Sequence, residues 1–324
     1  MTVELTQDDA KTLGIDEAAS ELGDLHQNVV SVFRGKPQVV RWTIASIVAG
    51  GHILLEDVPG VGKTTLALAM AKSLGLSFKR IQFTSDLLPG DIVGVSVYSS
   101  ESGEFSFRRG PIFAELVLAD EINRTTPRTQ SALLEAMSEG SVSVDDQTRS
   151  LPEPFIVMAT QNPLDHHGTY PLPESQLDRF MVRLSIGYPK RSIERSILLE
   201  RGVDEPVEEL EAVTEATRLR KIKNTAASVD VDEKVVDYIL RIIEKTREHS
   251  SVRIGVSTRG ALAVVRLMKA IAIMEGRDYA IPDDAREVVA PCLAHRLSLK
   301  SGDQDQTASE AVIEGIVGDV DIPT

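Results

Sequence analysis

The chain has 324 residues, 42% of them hydrophobic, and a formal net charge of −14 at pH 7. That length and apolar share support a substantial core and two domains and exclude a disordered chain. The acidic balance argues against general adhesion to nucleic acid or anionic membrane, leaving room only for a local basic channel. No apolar run approaches the roughly 18 residues a membrane span requires, and no apolar stretch follows a basic start, so a soluble cytoplasmic protein without membrane insertion is expected. The single cysteine, Cys292, lies in an apolar helical stretch and reads as a buried, inert thiol.

Residues 1–20 are polar and acidic and read as a flexible N-terminal segment. Leu22, Leu25, Val29 and Val32 then fall at helical spacing, and a second helix over Gln38–Ala49 ends at Gly50-Gly51. The apolar run Ile53-Leu54-Leu55 leads into Asp57-Val58-Pro59-Gly60-Val61-Gly62-Lys63-Thr64-Thr65, followed by the helix-forming Leu66–Ala71. A strand, a glycine-rich turn and a helix in this order aim backbone N–H groups and a helix N-terminus at anionic phosphates. The segment Pro59 to Thr65 is therefore a candidate nucleoside triphosphate cradle, with Lys63 on the β/γ oxygens and Thr64 on Mg²⁺. The full pattern G-x-x-x-x-G-K-[ST] starts here with Asp57 in place of glycine.

A strand is expected around Arg80–Phe83, then a turn-rich loop, Asp86–Gly94, and a hairpin pairing Val95–Tyr98 with Phe105–Phe107. Apolar Leu116–Ala119 runs into Asp120-Glu121, which places two carboxylates where a parallel strand ends, beside the cradle. Asp120 is the candidate to orient Mg²⁺ through water and Glu121 to polarise the water that attacks the γ-phosphate. A helix over Thr129–Ser138 and a hairpin turning at Asp145-Asp146 follow. The strand Phe155–Ala159 then runs on to Thr160-Gln161-Asn162-Pro163, where Asn162 either orients the lytic water or simply makes an Asn-Pro turn. His166-His167 has no further His or Cys at ligand spacing, and no metal site is expected there. A last strand spans Met181–Ile186. Helices alternating with fully apolar strands predict a doubly wound parallel α/β domain.

Beyond Tyr188-Pro189 the pattern is helical, with candidates over Ser192–Arg201, Pro206–Arg220, Asp232–Glu248, Thr258–Glu275 and Pro282–Leu297. The expected organisation is a flexible segment over 1–20, an α/β core over 21–188, a helical lid over 189–300 and an acidic tail over 301–324.

GKTT, Leu118-Ala-Asp-Glu-Ile-Asn-Arg124, Ala159-Thr-Gln-Asn-Pro163 and the phrase YPLPESQLDRF from Tyr170 to Phe180 occur in the order and form of AAA+ ATPases, and among these the chain resembles the MoxR family. The resemblance covers about Val29 to Arg296 and implies a P-loop AAA+ core with a small all-α lid, ATP as the nucleotide and Mg²⁺ as its partner ion. It further implies that Asn162 is sensor 1, that Arg179 is a finger reaching the neighbouring subunit's nucleotide, and that Arg259 is a sensor 2 arginine tying the lid to the γ-phosphate. Arg124 and Arg128 either face the subunit interface or are solvated. Segments 95–107 and 141–151 resemble the helix-2 insert and pre-sensor hairpin of this branch. The function implied is ATP hydrolysis in a ring, hexameric by resemblance, that remodels or matures a client protein as a chaperone. A von Willebrand factor A-domain partner and metal-cofactor insertion are further implications of the family. The alternatives are a DNA-directed motor of the MCM-like or McrB-like type, which the acidic balance disfavours, and a slow nucleotide-gated scaffold.

Overall fold

The computed structural model describes residues 12–100, 103–163, 169–200, 206–301 and 306–323; His166 and His167 lie outside them. Two helices, α1 (Ile15–Val32) and α2 (Pro37–Val48), precede the first strand, β1 (His52–Glu56). The chain continues through α3 (Lys63–Ser73), β2 (Phe78–Gln82), the short α4 (Pro89–Val93) and a hairpin of β3 (Gly94–Ser99) with β4 (Glu104–Arg109). Next come β5 (Leu116–Asp120), α5 (Pro127–Glu139), a second hairpin of β6 (Ser141–Val144) with β7 (Gln147–Ser150), β8 (Ile156–Gln161), the one-turn α6 (Glu174–Leu177) and β9 (Phe180–Leu184).

β1, β2, β5, β8 and β9 form one sheet in the order β2-β5-β8-β1-β9, every neighbouring pair parallel. Because side chains alternate along a strand, the sheet divides the core in two. Leu55, Leu118, Met158 and Val182 point to the side holding α1, α2 and α3, whereas Leu54, Val117, Val157 and Phe180 point to the side holding α5. Both faces are covered, which is why the strands read as unbroken apolar runs. The exception is the edge strand β2, where Lys79, Arg80 and Gln82 are exposed.

The helical region comprises α7 (Arg191–Glu200), α8 (Ala216–Ala227), α9 (Glu233–Glu248), α10 (Thr258–Met274), α11 (Pro282–Leu293) and α12 (Gln306–Gly318). Small two-stranded pairs tie it together: β10 (Asp230–Val231) with β12 (Tyr279–Ala280), and β11 (Val252–Ile254) with β13 (Ser298–Leu299). α10 packs on α1, α2, α8 and α11, so the lid shares one apolar cluster with the first face of the sheet.

Three expectations change. Residues 15–20 belong to α1, with Ala18 fully buried, because the helical apolar stripe begins one turn before Leu22. The helix expected over 206–220 starts at Ala216: Val213 and Thr214 donate their N–H groups to Ser73 O, which holds the chain extended across the end of α3. The expected acidic tail contains α12, whose Ile313 and Ile316, with Val320 beyond it, are buried against the lid. Its acidic residues merely face outward while the short apolar stretch completes the lid core.

The hairpins lie outside the sheet and meet through Arg149, whose guanidinium stacks 3.9 Å from the Phe107 ring centroid. Gly94 and Gly110 close the base of the β3–β4 hairpin, and a Cβ on Gly94 would come within 2.3 Å of Arg108 O.

His52 is buried between β1, β8 and α5: its Nδ1 accepts from Val157 N at 3.0 Å and its Nε2 donates to Met137 O at 3.0 Å. Burial pushes its pKa down to about 4. The unfolded chain therefore takes up this proton first, so the contribution is complete above pH 6.5 and is lost as pH falls toward 4. Over that interval it amounts to about 3 kcal/mol. His52→Gln is expected to flatten the acid limb of the stability curve, measured as urea-unfolding free energy from pH 7.5 to 4.5. Ile313→Ala is expected to cost about 2–5 kcal/mol by the same measurement, whereas a solvated tail would show no change.

Candidate active site

A parallel sheet places all its strand C-termini on one edge, and that edge carries most of the candidate residues. β1 runs into the glycine-rich turn, where Gly60 (φ 84°) and Gly62 (φ 98°) adopt left-handed conformations that bring the chain round to the start of α3. Pro59 and Gly60 are exposed; Val61, Gly62, Lys63, Thr64 and Thr65 are half-buried. A Cβ on Gly60 would meet nothing within 4 Å, so the loop opens onto free space there. The Lys63 ammonium curls back into the loop, donating to Asp57 O at 2.5 Å and Val58 O at 3.2 Å. Burial lowers its pKa, opposed by the carboxylates of Asp57, Asp120, Glu121 and Glu56. The site is thus a cationic side chain ringed by acids, fitted to a polyanion accompanied by a cation.

At the same edge Asp120 ends β5. Its Oδ1 accepts from the fully buried Thr160 hydroxyl at 2.6 Å, and its Oδ2 accepts from Arg80 Nη2 at 2.5 Å and Nε at 3.1 Å. Glu121 follows in a left-handed conformation (φ 57°), unusual for a residue with a side chain, and its N–H donates to Thr160 Oγ1 at 2.8 Å. Its carboxylate accepts from Gln82 Nε2 at 2.8 Å and pairs with Arg124 at 3.2 Å in the same chain. Asn162 is buried just past the end of β8, where its carbonyl accepts from Asn123 Nδ2 at 3.5 Å. Thr64 and Asp120 supply hard oxygen donors of the kind Mg²⁺ takes, so the residues fit that ion.

Arg179 and Arg259 lie elsewhere. Arg179 immediately precedes β9 and so sits at the opposite, N-terminal edge of the sheet, a strand length of about 15 Å from its own phosphate loop. It donates to Leu134 O at 2.6 Å and to Ser138 Oγ on α5. The Arg259 guanidinium is exposed and lies 3.8 Å from Asp178, at that same far edge. The cause is Arg296, whose buried side chain donates to Asp178 Oδ1 at 2.7 Å, Phe180 O at 2.7 Å and Met181 O at 3.1 Å. This anchor seats the end of α11, and with it the first turn of α10, against the start of β9. Cys292 and His295 are buried beside it. Burial raises the thiol to about 11 and keeps the imidazole neutral, in keeping with a packing role.

Comparison with known proteins agrees with this fold. The family described as "ATPase family associated with various cellular activities (AAA)" matches residues 52–182, and the AAA lid domain matches residues 244–316. The uncharacterized protein YeaC of Bacillus subtilis is 46% identical over 303 residues, 93% of this chain and 95% of that one. Chaperone MoxR1 of Mycobacterium tuberculosis is 39% identical over 96% of this chain and 85% of its own. The chain belongs to the MoxR family of AAA+ ATPases. A crystal structure of a Cytophaga hutchinsonii protein assigned as an ATPase superposes with a TM-score of 0.86 at 35% identity, covering 96% of this chain and 97% of that one.

As a MoxR-family ATPase the chain binds nucleotide and hydrolyses ATP. Its departure from the general phosphate-loop pattern, Asp57, proves to be a buried clamp. Oδ2 accepts from Ile186 N at 2.8 Å, Gly187 N at 2.5 Å and Ser185 Oγ at 3.0 Å, while Oδ1 accepts from Val58 N at 2.8 Å. The residue ties the loop to the segment joining β9 to the lid. Sequence reasoning also missed Arg80, Gln82 and Thr160. The alternation of Arg80 and Gln82 on an expected strand was a usable sign that both share one face with the acidic pair. Asp57→Gly, which restores the general pattern, should weaken nucleotide binding and cost about 1–3 kcal/mol, since it strands three backbone donors. Titration with a fluorescent ATP analogue and a urea-unfolding curve check both.

Proposed function

We propose that this MoxR-family ATPase works as a ring in which each active site is completed by a neighbour. The observation that carries this reading is the placement of Arg179 and Arg259 together at the sheet edge opposite their own phosphate loop. A guanidinium that neutralises charge on the transferring phosphoryl must approach the γ-phosphate closely. Neither arginine can do so within its own chain, whereas in a head-to-tail ring this edge faces the next subunit's cradle.

In this reading Pro59 to Thr65 hold the triphosphate through backbone N–H groups, and Lys63 leaves its loop carbonyls for the β/γ oxygens. Thr64 and Asp120 would hold Mg²⁺, which when bound neutralises phosphate charge. Glu121 orients and polarises the attacking water, and Asn162, at the end of the neighbouring strand, fixes that water or senses the γ-phosphate. Arg179 reaches the neighbouring subunit's nucleotide. Arg259, on the first turn of α10, makes lid position responsive to that same nucleotide.

Six subunits form the ring that the family resemblance favours, and the work done is the remodelling or maturation of a protein client. The relative named chaperone MoxR1 supports a chaperone role. A von Willebrand factor A-domain partner and metal insertion into the client are the more specific form of this reading. No helix among the described residues is long and apolar enough to cross a membrane, and a cytoplasmic place of action is part of the same proposal.

Turnover per subunit should rise and saturate with protein concentration as the ring assembles, followed by ATPase assay alongside sizing. Arg179→Ala should leave nucleotide binding near normal and reduce turnover about 10²–10³-fold. Mixing it with Glu121→Gln subunits, each inactive alone, should restore part of the activity at hybrid interfaces. Full turnover by Arg179→Ala alone would remove the finger assignment.

A further inference from the structure

The Asp120 carboxylate is already engaged by two side chains, and they differ in one decisive respect. Thr160 Oγ1, which donates to Oδ1 at 2.6 Å, belongs to a fully buried residue and itself receives the Glu121 N–H, so it cannot leave without stranding its own buried hydroxyl. Arg80, which places Nη2 at 2.5 Å and Nε at 3.1 Å on Oδ2, extends from the edge strand β2 with 49% of its side chain exposed. The pair is open to solvent on its guanidinium side only, the Asp120 side chain being 11% exposed, so water can take over from Arg80 without any buried donor being stranded. Arg80 is also wired onward: its Nη2 donates to Gln82 Oε1 at 3.1 Å, and Gln82 Nε2 donates to Glu121 Oε2 at 2.8 Å. Two residues on one face of β2 thus bridge both members of the acidic pair, which the register brings alongside by setting Gln82 opposite Asp120.

A carboxylate offers about four acceptor positions, and Thr160 with the two Arg80 nitrogens occupies three of them. Mg²⁺ retains several waters and is met by carboxylates largely through them. One position remains, so seating more than a single water of that shell on Asp120 requires an acceptor now held by Arg80, and it brings a divalent cation beside a guanidinium.

We propose that Arg80 is a positioning residue that holds the Asp120 carboxylate and must withdraw into solvent for Mg²⁺ to be seated, so that Arg80 sets the magnesium requirement of nucleotide binding. The proposal rests on the assignment of Asp120 to the metal side of the site. It gives the exposed edge of β2 a direct connection to metal loading.

The test is the Mg²⁺ concentration at half-maximal binding of a fluorescent ATP analogue, with binding in EDTA as the metal-free reference, for the full chain and its Arg80→Gln, Arg80→Lys and Asp120→Asn variants. Arg80→Gln should lower the Mg²⁺ midpoint about three- to tenfold and leave metal-free binding unchanged. Arg80→Lys, which keeps the charge but loses the two-nitrogen grip, should fall between it and the unmodified protein. A midpoint that stays put or rises in Arg80→Gln overturns the proposal, since a residue that merely orients Asp120 for the metal would produce a rise. Asp120→Asn should raise the midpoint; if it does not, the metal-side assignment of Asp120 fails and the proposal fails with it. The first failure leaves that assignment standing and the second does not, so the two are distinguishable.

Discussion

The buried guanidinium of Arg296 is the constraint on which the architecture turns. It joins the end of α11 to the residues where β9 begins, through the Asp178 carboxylate and the carbonyls of Phe180 and Met181. A buried charge is costly unless paired and hydrogen-bonded, and here those demands are met only if lid and sheet keep one relative position. That position decides which edge of the sheet α10 starts from. It therefore decides where Arg259 stands, and it keeps Arg259 beside Asp178 and on the same edge as Arg179.

At the other edge, the parallel sheet alone accounts for the meeting of motifs far apart in the chain. The ends of β1, β5 and β8 must lie side by side because the strands are neighbours in the order β5-β8-β1. Asp57 adds a lateral tie from the phosphate loop to the end of β9, so the loop is held both by its own strand and by the segment that leads to the lid. A displacement of the loop on binding phosphate would be felt directly by that segment. Nucleotide site and lid are joined at one edge by Asp57 and at the other by Arg296.

The acidic pair at the end of β5 is held in place by its neighbours on both sides. Asp120 and Glu121 are each held by side chains from β2 and by Thr160 on β8, and Glu121 takes a strained backbone conformation that turns its carboxylate away from the strand direction. Such strain persists only where surrounding bonds over-determine it, here through the Thr160 hydroxyl. The Glu121 carboxylate is thus held by one neutral and one cationic donor, Gln82 and Arg124.

Much of this was legible in the sequence. The apolar runs at 53–55, 116–119 and 155–159 named the central strands because only strands covered on both faces are apolar throughout, and the glycine, lysine and acidic residues at their ends named the chemistry. The placement of α12 was not legible, since its polar composition outweighed the short stripe of Ile313 and Ile316 that packs against the lid. The start of α8 was missed because a carbonyl of α3, distant in sequence, holds the preceding segment extended. Local pattern and residue chemistry determined by themselves that this is a nucleotide-binding α/β chain with a helical lid. Only the tertiary structure decided which residues share an edge: that Arg80 reaches Asp120, that Asp57 grips the segment after β9, and that Arg259 stands beside Asp178. Those pairings depend on strand order and on one buried ion pair between distant segments, and neither leaves a periodic trace in the chain.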